Sequence, residues 1–484
     1  MWSELADAFR TLDYRVDAVV ELIGAEEHAA LARNSTVPAT RALARRDDPL
    51  ATLTRLWLLQ QPVPGTALEP ALPGLVQPLV EAGILAAESG QVRALVDLRP
   101  YATDDGDYWV AADLTPNLDT RVRPIHPDHV LGVSAASASL AQLTLRRPVG
   151  RALDLGTGCG VQSLHLARHA EAVVATDLNL RAVHLARITF ALNGIAVDLR
   201  PGDLYAPVAG ERFDLITANP PYVMSPPDES RLTYREGDAP GDTLVERVVV
   251  EGAAHLADGG VLQVLANWAH LRGQDWTDRV GGWLARTGCD GHVVQREVLD
   301  PYAYIEIWLA DAGLTGSARY AERYAAWCDY FDGLGIEAVG LGWLTLRRRG
   351  RTPSVRIEDW PHPVEQPIAP ALAADLDAVD RLAGLTDEQI LAGRWRLATD
   401  VVEETTGRPG AADPEHLVFR QQRGFRRAMP LDTATAGILG ACDGELTLAQ
   451  IVASVAGLLD VEETALTRQT VDRVRMLVAE GWLA

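Results

Sequence analysis

The sequence predicts an α/β fold: a mainly parallel sheet with helices on both faces, in the middle of the chain, flanked by smaller α+β domains. Three observations predict it. Ala152-Leu153-Asp154-Leu155 is an apolar run that breaks at Gly156-Thr157-Gly158-Cys159-Gly160 and resumes with helical spacing over 161–170, which is the pattern of strand, glycine turn and helix. Residues 171–177 form a second apolar run ending in Asp177, about 20 residues after the glycines, where nucleotide-binding βαβ units hold ribose hydroxyls. Residues 213–218 form a third run, which stops at Asn219-Pro220-Pro221-Tyr222.

At 484 residues the chain exceeds one ordinary domain. It divides at about 120 and 312. Residues 1–120 read as an accessory domain: amphipathic helices over 16–31 and 49–59, a helical stretch from Leu75 stopped by Gly83, and two β-rich runs, 85–87 and 91–98, around Glu88-Ser89-Gly90. Helices followed by a hairpin resemble a winged helix. Pro124 to Gly132 lead into the central domain, 121–312, and His126, His129 and Ser134 there are candidates to line its pocket or, equally, to cap and pack a helix start.

Within the central domain, a strand over 196–199 precedes Gly202-Asp203-Leu204, and the run 213–218 precedes the Asn-Pro-Pro-Tyr turn. Ser225 to Asp242 are rich in Pro, Asp and Gly and too long for a plain connection, so this loop is expected over the site. A helix over 243–256, a strand over 260–266, a helix over 275–287 and a closing antiparallel pair, 292–298 with 304–309, complete the unit. The third domain, 313–484, begins with a helix over 318–331 and a strand over 336–348. The Pro-rich stretch 353–370 reads as a linker. From about 415 the pattern of helix, Asp443-Gly444 turn, helix and a last helix closing on Gly481-Trp482-Leu483 again resembles a winged helix.

Composition narrows the function. The longest apolar runs are too short to span a bilayer and the first ten residues carry acids rather than a basic leader, so a cytoplasmic protein without membrane contact is expected. The four cysteines have no Cys-x-x-Cys spacing, which argues against zinc, iron–sulfur clusters and any other metal site. All 44 basic residues are arginine, which excludes a P-loop lysine and a Schiff-base cofactor. Net charge is −22, and acids outnumber arginines in every domain, which disfavours nucleic acid as partner. The arginine runs 347–351 and 420–427 read as solvated edges paired with surplus acids, or as a local phosphate patch.

The turn at 219–222 carries the chemistry. Each proline locks φ and removes an N–H, so the local carbonyls stay available to a ligand. The Asn219 amide oxygen and the Pro220 carbonyl can accept both N–H bonds of one planar NH2 group, and the Tyr222 ring offers it a face. An amide or an exocyclic amine fits. In order, Asp154 to Gly160, Ala175-Thr176-Asp177, Gly202-Asp203-Leu204 and Phe213 to Tyr222 resemble the class I S-adenosylmethionine-dependent methyltransferases. Specifically they are similar to the branch that ends its fourth strand in Asn-Pro-Pro-Tyr, which holds release-factor glutamine methyltransferases and adenine-N6 and guanine-N2 methyltransferases. The resemblance covers about residues 126–312.

That resemblance implies a Rossmann-like core, a seven-stranded sheet with a terminal antiparallel hairpin, and S-adenosylmethionine as cofactor. It implies cofactor contacts from Asp154, Gly156, Thr157, Gly158, Gly160, Asp177, Leu178, Asp203, Leu204 and Asn219, and catalytic roles for Asn219, Pro220 and Tyr222. The expected reaction is N-methylation of a planar NH2. Acidity favours a Gln or Asn amide of a protein or peptide; an RNA adenine-N6 or guanine-N2 methyltransferase and an inactive binding module are the alternatives. The flanking domains suit substrate docking or a homodimer.

Overall fold

In the computed structural model, which describes residues 1–104, 106–120, 125–227, 232–237, 239–409 and 415–484, eight strands build the main sheet. They are β1 (Val149–Leu155), β2 (Ala170–Asp177), β3 (Asp198–Pro201), β4 (Phe213–Ala218), β5 (Leu256–Leu271), β6 (Asp290–Leu299), β7 (Ile336–Arg347) and β8 (Val355–Asp359). Their order is β8-β6-β7-β5-β4-β1-β2-β3. β7 runs antiparallel to both neighbours, β5 and β6, and the other pairings are parallel. Residues 152–155 of β1 and 215–218 of β4 are buried without alternation, as strands covered on both faces must be. Leu153, Phe213, Ile216, Leu262, Trp268, Trp283 and Leu344 belong to one apolar cluster there.

Six helices flank the sheet: α1 (Val161–Leu166), α2 (Leu180–Asn193), α3 (Thr243–Gly252), α4 (Trp276–Thr287), α5 (Pro301–Asp311) and α6 (Tyr320–Leu334). Here the structure corrects the expected closing hairpin. Residues 304–309 are helical, within α5, and the antiparallel partner of β6 is β7. Aromatic and β-branched residues in Tyr302 to Leu309 suggested a strand, but Asp300 caps the helix by accepting from the N–H groups of Tyr302 at 2.9 Å and Ala303 at 3.0 Å, with Pro301 in the first turn. Cap and proline outweigh β propensity because both satisfy or spare the orphan donors of a helix start. Tyr304, Ile305 and Leu309 then pack against Trp327 and Phe331 of α6.

Two further expectations change. The sheet does not end near 312 and has eight strands rather than seven: β7 and β8 extend it, and part of the presumed linker 353–370 is strand β8 against β6. The chain divides instead into two compact units, 1–141 with 146–360, and 361–484 with 142–145. The N-terminal segment shares the first unit. Its stretch 16–31 is broken at Gly24 (φ +100°) into helices Val16–Ile23 and Ala25–Leu31, and strands Leu85–Glu88 and Gln91–Ala94 pair around Ser89 and Gly90. A second hairpin, Val96–Thr103 with Gly106–Asp113, packs on α2, where Asn193 exchanges two bonds with the Trp109 main chain at 3.0 and 2.7 Å.

The second unit holds a three-stranded antiparallel sheet, Val401–Thr406, His416–Gln421 and Ala428–Pro430, and helices that include Thr433–Gly440, Leu448–Leu459 and Glu463–Ala479. Thr447 and Gln450 form a reciprocal capping box at the start of the second of these. Trp395, Ile451, Val474 and Trp482 lie in its core. Among the described residues no helix is long and apolar enough to cross a membrane. The arginine runs are largely paired: Arg351 forks onto Asp290 at 2.8 and 2.7 Å, and Arg420 onto Glu404 at 2.8 and 3.1 Å.

Candidate active site

The site forms where β1, β2 and β4 end at their C-terminal edge. Gly156, Gly158 and Gly160 adopt φ of +75°, +55° and +91°, conformations an L side chain disfavours. At Gly160 a Cβ would also meet Phe190 Cε1 at 2.6 Å. The N–H groups of Gly156 and Thr157 both donate to the Thr176 carbonyl at 2.9 Å, which ties the turn to β2. Asp154, 1% exposed, fastens it from beneath: one carboxylate oxygen accepts from the Thr157 hydroxyl at 2.7 Å, the Ser163 hydroxyl at 2.7 Å and the Ser163 N–H at 3.0 Å.

Burial pushes the Asp154 carboxyl up to about 6, against those three bonds, which pull it down. The folded value lies above the unfolded one of 3.8, so the ionised form costs stability. That cost is absent where both states are protonated, grows as pH rises through about 4 to 6, and is complete above. The shift corresponds to about 3 kcal/mol. Asp154→Asn should therefore raise the melting temperature of the ligand-free protein by a few degrees at pH 7.5 and by about half as much at pH 5. Melting curves of both proteins at the two pH values check this; an equal shift at both would remove the ionisation cost.

Asp177, at the end of β2, accepts from Gly158 N–H with one oxygen and Asn179 N–H with the other, each at 2.8 Å. Burial holds its carboxyl above the usual range. Leu178 beside it is an apolar side chain left 61% exposed. Leu204 has φ +42°, and the Thr176 hydroxyl donates to its carbonyl at 3.4 Å. Asp203 is more than half exposed and faces Arg247 at 3.6 Å. Cys159 is buried and its thiol is pushed up to about 12, so it packs the turn as a neutral group.

On the other side of the cleft, β4 delivers Asn219. Its amide oxygen is buried and has no hydrogen-bond partner among the described residues. An orphaned buried acceptor is costly unless a ligand satisfies it. Pro220 is buried, and the Tyr222 ring meets Trp308 edge-on at 6.4 Å. The strand-like pairing of Tyr222 with Glu236, with Val223 N–H donating to the Arg235 carbonyl at 2.7 Å, folds part of the loop 225–242 back onto the turn. Residues 228–231 and 238 of that loop lie outside the described residues, as does Pro124. Arg235, 6% exposed, bonds Glu236 and Asp311 and lies over Trp308 at 5.7 Å.

The segment 126–131 spans both halves. The Asp128 carbonyl accepts from Asn179 at 2.7 Å on the Asp177 side, and the Pro127 carbonyl from Thr233 N–H at 2.9 Å on the Asn219 side. His129 is buried, stacks edge-on with Tyr234 at 5.7 Å and is kept neutral by desolvation. Ser134 is engaged in a turn with Ser137. Sequence reasoning missed three groups here. Asp242 accepts from Ala269 N–H at 2.7 Å and is gripped by both terminal nitrogens of Arg279; Asn267 and Tyr304 reach the turn from β5 and α5.

A parallel sheet with one antiparallel strand, β7, third from the β8 edge, a glycine turn after β1, an acid after β2 and Asn-Pro-Pro-Tyr after β4 define a class I, Rossmann-like methyltransferase domain. A family model points the same way: residues 132–278 match the methyltransferase small domain. Residues 11–95 match a domain of unknown function (DUF7059). Over 118 residues the chain is 34% identical to a putative protein N5-glutamine methyltransferase of Methanocaldococcus jannaschii, covering 23% of this chain and 59% of that protein. Over 162 residues it is 33% identical to the ribosomal RNA small subunit methyltransferase C of Enterobacter sp., covering 32% of this chain and 43% of the relative. Among solved structures, the T. thermophilus 16S rRNA N2 G1207 methyltransferase in complex with AdoMet and guanosine aligns with TM-score 0.27 at 21% identity, over 42% of this chain and 53% of that one. The chain thus spans between 32% and 59% of the length of the curated relatives it matches.

Proposed function

We infer that the protein is an S-adenosylmethionine-dependent N-methyltransferase acting on a planar NH2 group, and that this group is a Gln or Asn side-chain amide of a protein or peptide. The observation that carries the first part is the buried oxygen of Asn219 at the end of β4, which has no hydrogen-bond partner among the described residues. The residues present suit the cofactor: glycines at positive φ leave room for it, the Asp177 carboxylate suits ribose hydroxyls, and the exposed Leu178 suits an adenine face. Leu204 and Asp203 complete that side in this reading. When bound, S-adenosylmethionine supplies a methyl group activated by its sulfonium charge.

The chain's own task is placement. An amide lone pair is delocalised into its carbonyl, so the nitrogen is a poor nucleophile. Acceptors at Asn219 and Pro220 hold its two N–H bonds and favour the pyramidal geometry of transfer, while the Tyr222 ring, edge-on to Trp308, offers the group a face. No strong base is needed beforehand, because the proton becomes acidic as the methyl arrives.

Net charge of −22 favours a protein acceptor. The second reading, an RNA base amine, draws on the similarity to ribosomal RNA small subunit methyltransferase C. Labelled cofactor incubated with cell lysate separates them: protease, and not nuclease, should release the label. Raising salt from about 50 to 200 mM should change the labelling rate only mildly, whereas an enzyme making six to ten phosphate contacts loses about 10³ to 10⁵ in affinity over that range. Nuclease-sensitive label would overturn the protein assignment.

A further inference from the structure

Two buried groups outside every assigned motif are tied directly to the Asn219–Tyr222 turn. The Asn267 amide nitrogen, on β5, donates to the Tyr222 carbonyl at 2.8 Å and to the Tyr304 hydroxyl at 3.1 Å. That hydroxyl, on α5, also accepts from the Met224 N–H at 3.0 Å. One continuous chain of bonds therefore grips the main chain on both sides of Val223, the carbonyl of residue 222 and the N–H of residue 224. Both side chains are fully buried. The orientation of the Asn267 amide follows from its partners, since a carbonyl oxygen at Tyr222 requires the NH2 end.

We propose that Asn267 and Tyr304 are positioning residues that brace the Asn219–Tyr222 turn so that its acceptors stand where the NH2 group must be held. The proposal rests on the N-methyltransferase reading. The tyrosine ring alone would serve the core: it packs among Trp308, Trp327 and Phe331 at centroid distances of 5.9, 6.2 and 5.7 Å. Phenylalanine would fill the same space. The hydroxyl adds the bonds to the Met224 N–H and to Asn267, and burying it without those bonds would be unfavourable. Among the described residues, none of these bonds involves the glycine turn after β1 or Asp177 on β2.

Tyr304→Phe separates the brace from the packing. The expected result has three parts: S-adenosylhomocysteine affinity by calorimetry unchanged within about two-fold; amide hydrogen exchange faster in the peptide spanning 219–226; and label transfer to saturating lysate acceptor about 10- to 100-fold slower, the scale of a small misplacement of reacting groups. Asn267→Asp keeps size but removes the donor to the Tyr222 carbonyl, and should reproduce all three; the double variant should be no worse than either single one, since both break one chain. Wild-type exchange and transfer rates in Tyr304→Phe would overturn the proposal, as would transfer lost in step with cofactor affinity. If wild-type protein labels nothing, the methyltransferase reading fails, and the exchange measurement still decides whether the brace exists.

Discussion

Asn219→Ala should lower methyl transfer by about 10³-fold while leaving cofactor affinity within about two-fold. The magnitude follows from what the side chain contributes. Its amide oxygen is buried and has no partner among the described residues, so it is already desolvated when an acceptor NH2 arrives. Loss of one preorganised group of this kind costs about 10² to 10³ in turnover elsewhere, and an amide nitrogen, with its delocalised lone pair, depends on it more than an amine does. Cofactor affinity is insulated, because the glycine turn is tied to Thr176 and Asp154 rather than to the end of β4. Calorimetric titration beside a label-transfer assay reads both quantities. Affinity falling together with turnover would place Asn219 in cofactor binding and remove its role with the acceptor.

Asp177→Ala should do the reverse, weakening cofactor binding by about 100-fold or more while sparing turnover at saturating cofactor. Hydrogen bonds to a charged acceptor contribute about 1.5–3 kcal/mol each, and a ribose offers two hydroxyls. The carboxylate is also structural: its two oxygens hold Gly158 N–H and Asn179 N–H at 2.8 Å, so its removal loosens the turn and the start of α2 together. Asp177→Asn keeps one acceptor oxygen and should fall between. Titrations of the three proteins order the affinities; an Asp177→Ala protein that binds as tightly as wild type would exclude the ribose assignment.

Much of this domain was legible in the chain because its signals are local. Glycines at 156, 158 and 160 mark positive φ directly, and an acid at 177 follows at the spacing that a strand, turn, helix and strand impose. The Asn-Pro-Pro-Tyr turn announces free acceptors by the same short-range logic. What was missed depends on distance. Residues 304–309 carry strand-like side chains, and the cap at Asp300 with Pro301 was a readable signal that composition masked. β7 lies well beyond the point where the resemblance ends, so nothing near β6 in the chain names its partner.

Asp203 and the brace show the same division. Asp203 was readable from its place in the chain between Gly202 and Leu204, whereas its neighbour Arg247, 3.6 Å away, comes from α3. Asn267 and Tyr304 carry no motif, and each would pass as an ordinary core polar residue until β5, α5 and the turn meet. By itself the amino-acid order determined the fold class, the glycine turn after β1 and the Asn-Pro-Pro-Tyr turn after β4, because backbone conformation at glycine and proline is dictated by the residue and its immediate neighbours. Only the tertiary structure decided which strand closes the sheet, where the units divide and what supports the turn, because those depend on packing and hydrogen bonds between segments far apart in the chain, and no short stretch of sequence contains both partners.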